Sequence, residues 1–128
     1  MADFDWNDFL LLARSLRESG AGQLREATLR TAVSRAYYAA YHHTIREMKA
    51  SGFYPDGSGI DHSMILSHLE EQGLGEKATL LRSLRRMRDR CDYDNRGYDL
   101  GGMALIAVAN AFEISGDIDM ARAILREG

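Results

Sequence analysis

An all-helical, up-and-down bundle of four to five helices is the fold this sequence predicts. The chain holds a single proline, it has no alternating run of β-branched residues, and its glycines fall mostly where helices would break. The first helix is expected from about Trp6 to Glu18. Asp5 is its candidate N-cap, Phe9, Leu12, Ala13 and Leu16 form its buried stripe, and Gly20 and Gly22 close it. A long second helix follows from about Gln23 to Ala50. It carries Ala27, Ser34, Tyr38, Tyr41, Ile45 and Met48 on one face and Ala32, Val33, Ala36, Tyr37 and Ala40 on another, so it should be the most enclosed element.

Gly52 to Gly59 (GFYPDGSG) reads as an exposed, mobile loop, because it contains the only proline and three glycines. Asp61 then caps a short helix through about Glu71, and Gly73 and Gly75 separate that helix from an arginine-rich one. Asn95 to Gly102 is the next turn. The last long helix, about Gly102 to Ser115, is apolar nearly all round, which suits either the depth of the bundle or a subunit contact. Gly116 and Asp117 kink or restart it before Ile118 to Leu125. Tyr37, Tyr38, Leu84 and Phe112 are expected in the core.

A length of 128 residues with 45% hydrophobic content fits one domain that buries a core without disulfides or structural metal. The single cysteine, Cys91, excludes an internal disulfide, and no Cys/His spacing resembles a zinc site. The start, MADFDWNDF, is acidic where a signal peptide would be basic, and the longest apolar run, Met103 to Ala109, is far below the roughly 20 residues of a membrane span. The expectation is a soluble cytoplasmic protein with no membrane partner. A net charge of −3 argues against bulk nucleic-acid coating but leaves room for one local basic site.

Such a site is visible in Arg82 to Asn95 (RSLRRMRDRCDYDN), where Arg82, Arg85, Arg86, Arg88 and Arg90 crowd together. Leu81, Leu84, Arg88 and Cys91 recur at i, i+3, i+7 and i+10, so Arg88 stands on the apolar stripe while Arg82, Arg86 and Arg90 point elsewhere. A core-facing guanidinium needs a partner, from Asp92 or Asp94 nearby or from a neighbouring helix. The plain alternative is a solvated arginine face. On the second helix, SRAYYAAYHH sets Arg35, Tyr38 and His42 side by side. These aromatics suit a core, whereas the histidines, with a reference pKa near neutrality, also suit proton transfer. His42 and His43 diverge, and His62 and His68 share no clear face, so no metal is expected. No P-loop, dinucleotide fingerprint or GxSxG is present, and no cofactor is expected.

Taken in order and at their separations, Ser34 to His42 (SRAYYAAYH), Asp61-His62, and Arg88 to Asp94 (RDRCDYD) resemble the HEPN domain (higher eukaryotes and prokaryotes nucleotide-binding), particularly its small stand-alone prokaryotic branch. The resemblance covers nearly the whole chain, with Cys91 where alanine is usual. It implies a helical bundle that commonly forms a homodimer and is often encoded beside a minimal nucleotidyltransferase in toxin–antitoxin and defence loci. Many members are metal-independent ribonucleases whose signature is an arginine, a polar residue directly after it, and a histidine four to six residues on. Arg88-Asp89 matches the first half. At the second half stands Tyr93, and no histidine follows His68. A phenol, with a reference pKa near 10, is a poor base at neutral pH.

Under this resemblance Arg88 binds the scissile phosphate beside Asp89, with Arg85, Arg90 and Arg35 as further anion contacts. His42 or His62 takes the 2'-hydroxyl proton, and Tyr93 orients or donates. The alternative is a non-catalytic module that binds a nucleotide, an RNA or a partner nucleotidyltransferase. A third role makes Tyr93 a substrate, adenylylated by that partner to silence a toxin.

Overall fold

In the computed structural model, which describes residues 4–53 and 62–128, the chain forms six helices and, among the described residues, no strand. They are α1 (Asn7–Ser19), α2 (Arg25–Ala50), α3 (His62–Glu71), α4 (Gly75–Tyr93), α5 (Leu100–Ile114) and α6 (Ile118–Arg126), with a single 3-10 turn, Gly22–Leu24, leading into α2. The sequence suggested four to five. The count differs because α6 is a separate helix, restarted by Asp117, whose side chain accepts from the Met120 N–H at 3.0 Å. Most of the expected GFYPDGSG loop, and the Asp61 cap, lie outside the described residues.

α2 is the axis of the bundle: α1, α4 and α5 all pack along it, α3 lies mainly on α4, and α6 on α5. Its sequence explains the position. Ala32, Val33, Ala36, Ala39 and Ala40 are buried with almost no side-chain bulk, so neighbouring helices approach closely around Leu29, Tyr37 and Met48. Ala27, by contrast, is exposed in the first turn. α2 ends where Gly52 takes φ +91 and the Phe53 N–H reaches back to the Met48 carbonyl at 2.9 Å, a left-handed cap that strongly favours glycine.

α1 corrects two expectations. Its buried residues are Leu10 and Ala13, flanked by half-buried Phe9 and Leu16, while Leu12 is exposed. With the face centred on Leu10, Leu12 lies about 200° around the helix. Asp5 is not the N-cap residue, which is Trp6; its carboxylate nevertheless accepts from the Asn7 N–H at 3.0 Å. α5 lies deep in the bundle, with Ala104, Ala107, Val108, Ala111, Phe112 and Ile114 buried, and Asp99 caps its start through the Gly102 N–H. Tyr37, Leu84 and Phe112 are core residues, and Tyr38 is half-buried. No described helix is long and apolar enough to cross a membrane.

Candidate functional site

On α4, Ala78, Leu81, Leu84, Met87 and Cys91 face inward, and Arg88 falls on the same side with only 12% of its side chain exposed. Its partners come from two helices. One terminal nitrogen donates to the Tyr38 hydroxyl on α2 at 3.1 Å, and the other pairs with Asp89 at 2.9 Å. The guanidinium also lies over the rings of Tyr37, Tyr38 and Tyr93, at 4.9, 5.6 and 5.8 Å from their centroids. Its Nε is buried with no hydrogen-bond partner among the described residues. Arg88 is therefore held in place; its enclosed Nε cannot reach a ligand, and the donors left for an oxyanion are the remaining N–H groups of the two terminal nitrogens.

His62, the first residue of α3, is buried beside this group, and its Nδ1 lies 3.1 Å from the Tyr37 hydroxyl. Burial, reinforced by the guanidiniums of Arg85, Arg82 and Arg88, pushes its pKa down to about 4 against the opposing pull of Asp89. Burial likewise pushes the Tyr37 phenol up to about 12. At neutral pH the site holds a neutral imidazole, a neutral phenol and a fixed cation. This combination can bind a phosphate-like anion and accept a proton.

The depressed His62 pKa carries a stability prediction. The folded chain holds fewer protons on His62 than the unfolded chain between about pH 6.5 and 4, so stability drains away as pH falls through that window, by at most roughly 3 kcal/mol. Urea midpoints at pH 7 and 4.5 should fall less in His62→Gln than in the unaltered protein; equal falls would contradict the assignment.

The remaining sequence-derived candidates are distributed around this centre. Tyr93 is 77% exposed at the outer edge of Arg88. Together with Asp89, Arg86, Arg90, Asp94, Asn95 and Arg96 it lines an open cleft of about 680 Å³. The cleft includes neither Arg88 nor His62, and meets Arg88 through Asp89 and Tyr93. Arg90 lies over the Tyr98 ring at 5.6 Å, and Arg85 is exposed, its charge acting on Tyr37 and His62. Arg35 lies over Phe9 and Tyr38 at 4.8 and 5.1 Å and donates to the Ser34 hydroxyl, which in turn donates to Asp92. Asp92 thus serves Ser34, and Asp94 serves Arg96 and Tyr98, whose hydrogen bonds hold its carboxyl well below the usual range. Neither is the partner of Arg88. His42 is one helical turn beyond Tyr38, stacked on Trp6 at a centroid distance of 3.5 Å, with its pKa lowered by burial.

Two arrangements were not anticipated from sequence. Arg30 on α2 donates to the carbonyls of Arg90, Cys91, Asp94 and Arg96 at 2.8 to 3.2 Å, closing the carboxyl end of α4. The Tyr37–His62 bond joins residues 25 apart in the chain. The Arg30 role had one available signal, since Arg30, Ser34 and Tyr37 share a helical stripe. Among the described residues no group of three His, Cys, Asp or Glu side chains is placed to hold a metal. No family model, curated protein or solved structure matches the chain.

Proposed function

We propose that this chain is an HEPN-type, RNA-directed protein, of the toxin or defence-module kind, whose phosphate-handling centre is Arg88. The observation that carries the reading is the junction of Arg88 with Tyr38, Tyr37 and Asp89 beside the neutral His62. The order of these residues along the chain is the one that resembles HEPN proteins.

In this mechanism Arg88 and Arg85 hold the scissile phosphate, and the exposed Tyr93 ring supports a flanking base. In the tautomer this role requires, His62 carries its proton on Nδ1 and donates a hydrogen bond to the Tyr37 hydroxyl oxygen, leaving the Nε2 lone pair free for the 2'-hydroxyl proton. Tyr37 is then a positioning residue. The 2'-oxygen attacks phosphorus, the bond to the 5'-oxygen breaks, that oxygen takes a proton from water, and the hydroxide so formed takes the proton from His62, leaving a 2',3'-cyclic phosphate, a 5'-hydroxyl and the neutral imidazole. No step calls for a metal. His62, rather than His42, is the base in this reading, because His62 lies in the field of Arg88, Arg85 and Asp89, whereas His42 stacks on Trp6 one turn beyond Tyr38 with no arginine of α4 acting on it.

The test is cleavage of a single-stranded RNA in the presence of a chelator. The unaltered protein and Tyr93→Phe should produce cyclic-phosphate ends, while His62→Ala should lose turnover by about a hundredfold or more with RNA binding retained. Undiminished cleavage by His62→Ala, or its loss in Tyr93→Phe alone, contradicts the mechanism.

One observation favours a second, non-catalytic reading. A histidine held near pKa 4 is a weak base, and Tyr93 projects into solvent where a nucleotidyltransferase can reach its hydroxyl. In that case the centre recognises a nucleotide or partner, and the unaltered protein shows no cleavage under any condition. Homodimerisation belongs to the same proposal.

A further inference from the structure

Further along α2 from Tyr38, toward its carboxyl end, lies a groove of about 510 Å³ lined by Phe4, Asp5, Trp6, His42, Ile45, Arg46 and Lys49. Its aromatic wall is unusual in being built yet uncovered. Phe4, Trp6 and Phe9 meet edge to face at 5.0 to 5.3 Å, and Trp6 is backed by the parallel His42 ring, yet Phe4 and Trp6 remain 52% and 38% exposed. Packing against His42 fixes the indole where it can receive a planar ligand. The α2 part of the lining adds two cations, Arg46 and Lys49, neither of which forms an ion pair among the described residues. The one carboxylate, Asp5, is engaged with the Asn7 N–H at the start of α1.

Fixed aromatic rings beside unpaired cations are the means by which proteins hold single-stranded nucleic acid, the rings stacking bases and the cations following phosphates. The groove is also connected to the Arg88 centre. Arg88 bonds Tyr38, Tyr38 and His42 are one turn apart on α2, and His42 stacks on Trp6. From Tyr38 to Lys49 the helix advances about 16 Å, the reach of a few nucleotides.

We propose that this groove is a second subsite for single-stranded RNA, in which a base rests on Phe4 and Trp6 while Arg46 and Lys49 hold the adjoining phosphates. The choice of RNA rests on the function proposed above; the groove itself does not depend on catalysis. It places part of the substrate on the segment leading into α1 and on α2, away from the arginine cluster of α4.

Trp6 is the only tryptophan, so its fluorescence reports this groove directly. The probe is a short, fully 2'-O-methylated oligouridylate, which the chemistry above cannot cleave, with binding followed in parallel by anisotropy of an end label. Binding should change Trp6 emission in the unaltered protein and in Arg88→Ala. The Arg46→Ala/Lys49→Ala double variant should bind about tenfold more weakly, with a salt dependence shallower by about 1.4 in log–log slope. Anisotropy binding with silent Trp6 emission and no effect of the double variant overturns the groove while leaving the Arg88 reading intact. Conversely, groove binding by a protein that never cleaves RNA sustains the groove and sinks the catalytic mechanism. Absence of any oligonucleotide binding overturns the subsite, as does Trp6 emission that follows protein concentration alone, which would assign the face to a second copy of the chain.

Discussion

Arg88→Ala is expected to lower RNA cleavage by about a hundredfold or more and to cost about 1 to 3 kcal/mol of stability. The functional loss follows from removing the fixed cation at the proposed phosphate position. The stability loss follows from the Tyr38 hydroxyl losing its donor and from three tyrosine rings losing the guanidinium they pack against. Arg88→Lys keeps the charge but not the flat fork that reaches Tyr38 and Asp89 together, so it should recover stability only in part. Arg82→Ala is the control. Arg82 is exposed and pairs with Glu70 at 3.1 Å, and its loss should change stability by less than about 1 kcal/mol and leave most of the RNA affinity. Equal losses of affinity in Arg82→Ala and Arg88→Ala would mean a diffuse basic surface.

The largest purely structural effect is expected from Arg30→Ala, on the order of 3 kcal/mol. One side chain answers four carbonyls at the end of α4, and alanine leaves these acceptors without their cation. The urea midpoint should fall with little change in slope. Because Arg30 holds the turn from Arg90 to Arg96, hydrogen exchange should accelerate there first, next to Tyr93 and Asp94. A stability loss under about 0.5 kcal/mol would contradict the capping role. Arg30→Lys should restore a fraction, since an ammonium has fewer donors and no planar reach.

How much of this was legible in the sequence depends on the range of the interaction. The helices were readable because glycines at 52 and 116, Asp117 and the alanine-rich run of α2 act locally, whereas Asp99, which caps α5 at Leu100, was read as part of the turn from Asn95 to Gly102. The inward placement of Arg88 was readable from its register with Leu81, Leu84 and Cys91. Its partners were legible only in part, because Asp89 is the next residue but Tyr38 lies 50 residues away, and Asp92 and Asp94, the acids the sequence offered, serve Ser34, Arg96 and Tyr98. The two candidate histidines looked alike in sequence. What separates them is tertiary, a hydrogen bond to Tyr37 for His62 and a stack on Trp6 for His42. Likewise, Leu12 looked core-like by composition, and only the direction from which α2 approaches α1 turns it outward.

The most direct test of the account is an NMR titration of the His62 imidazole with and without uridine 3'-monophosphate. In the free protein His62 should titrate near pH 4, because burial, reinforced by three arginines, opposes its proton. A phosphate seated on Arg88 brings negative charge to the same centre and should raise that value by about one unit or more, and the rise should vanish in Arg88→Ala. A His62 pKa that does not respond to saturating nucleotide would contradict the claim that Arg88 and His62 form one phosphate-directed site.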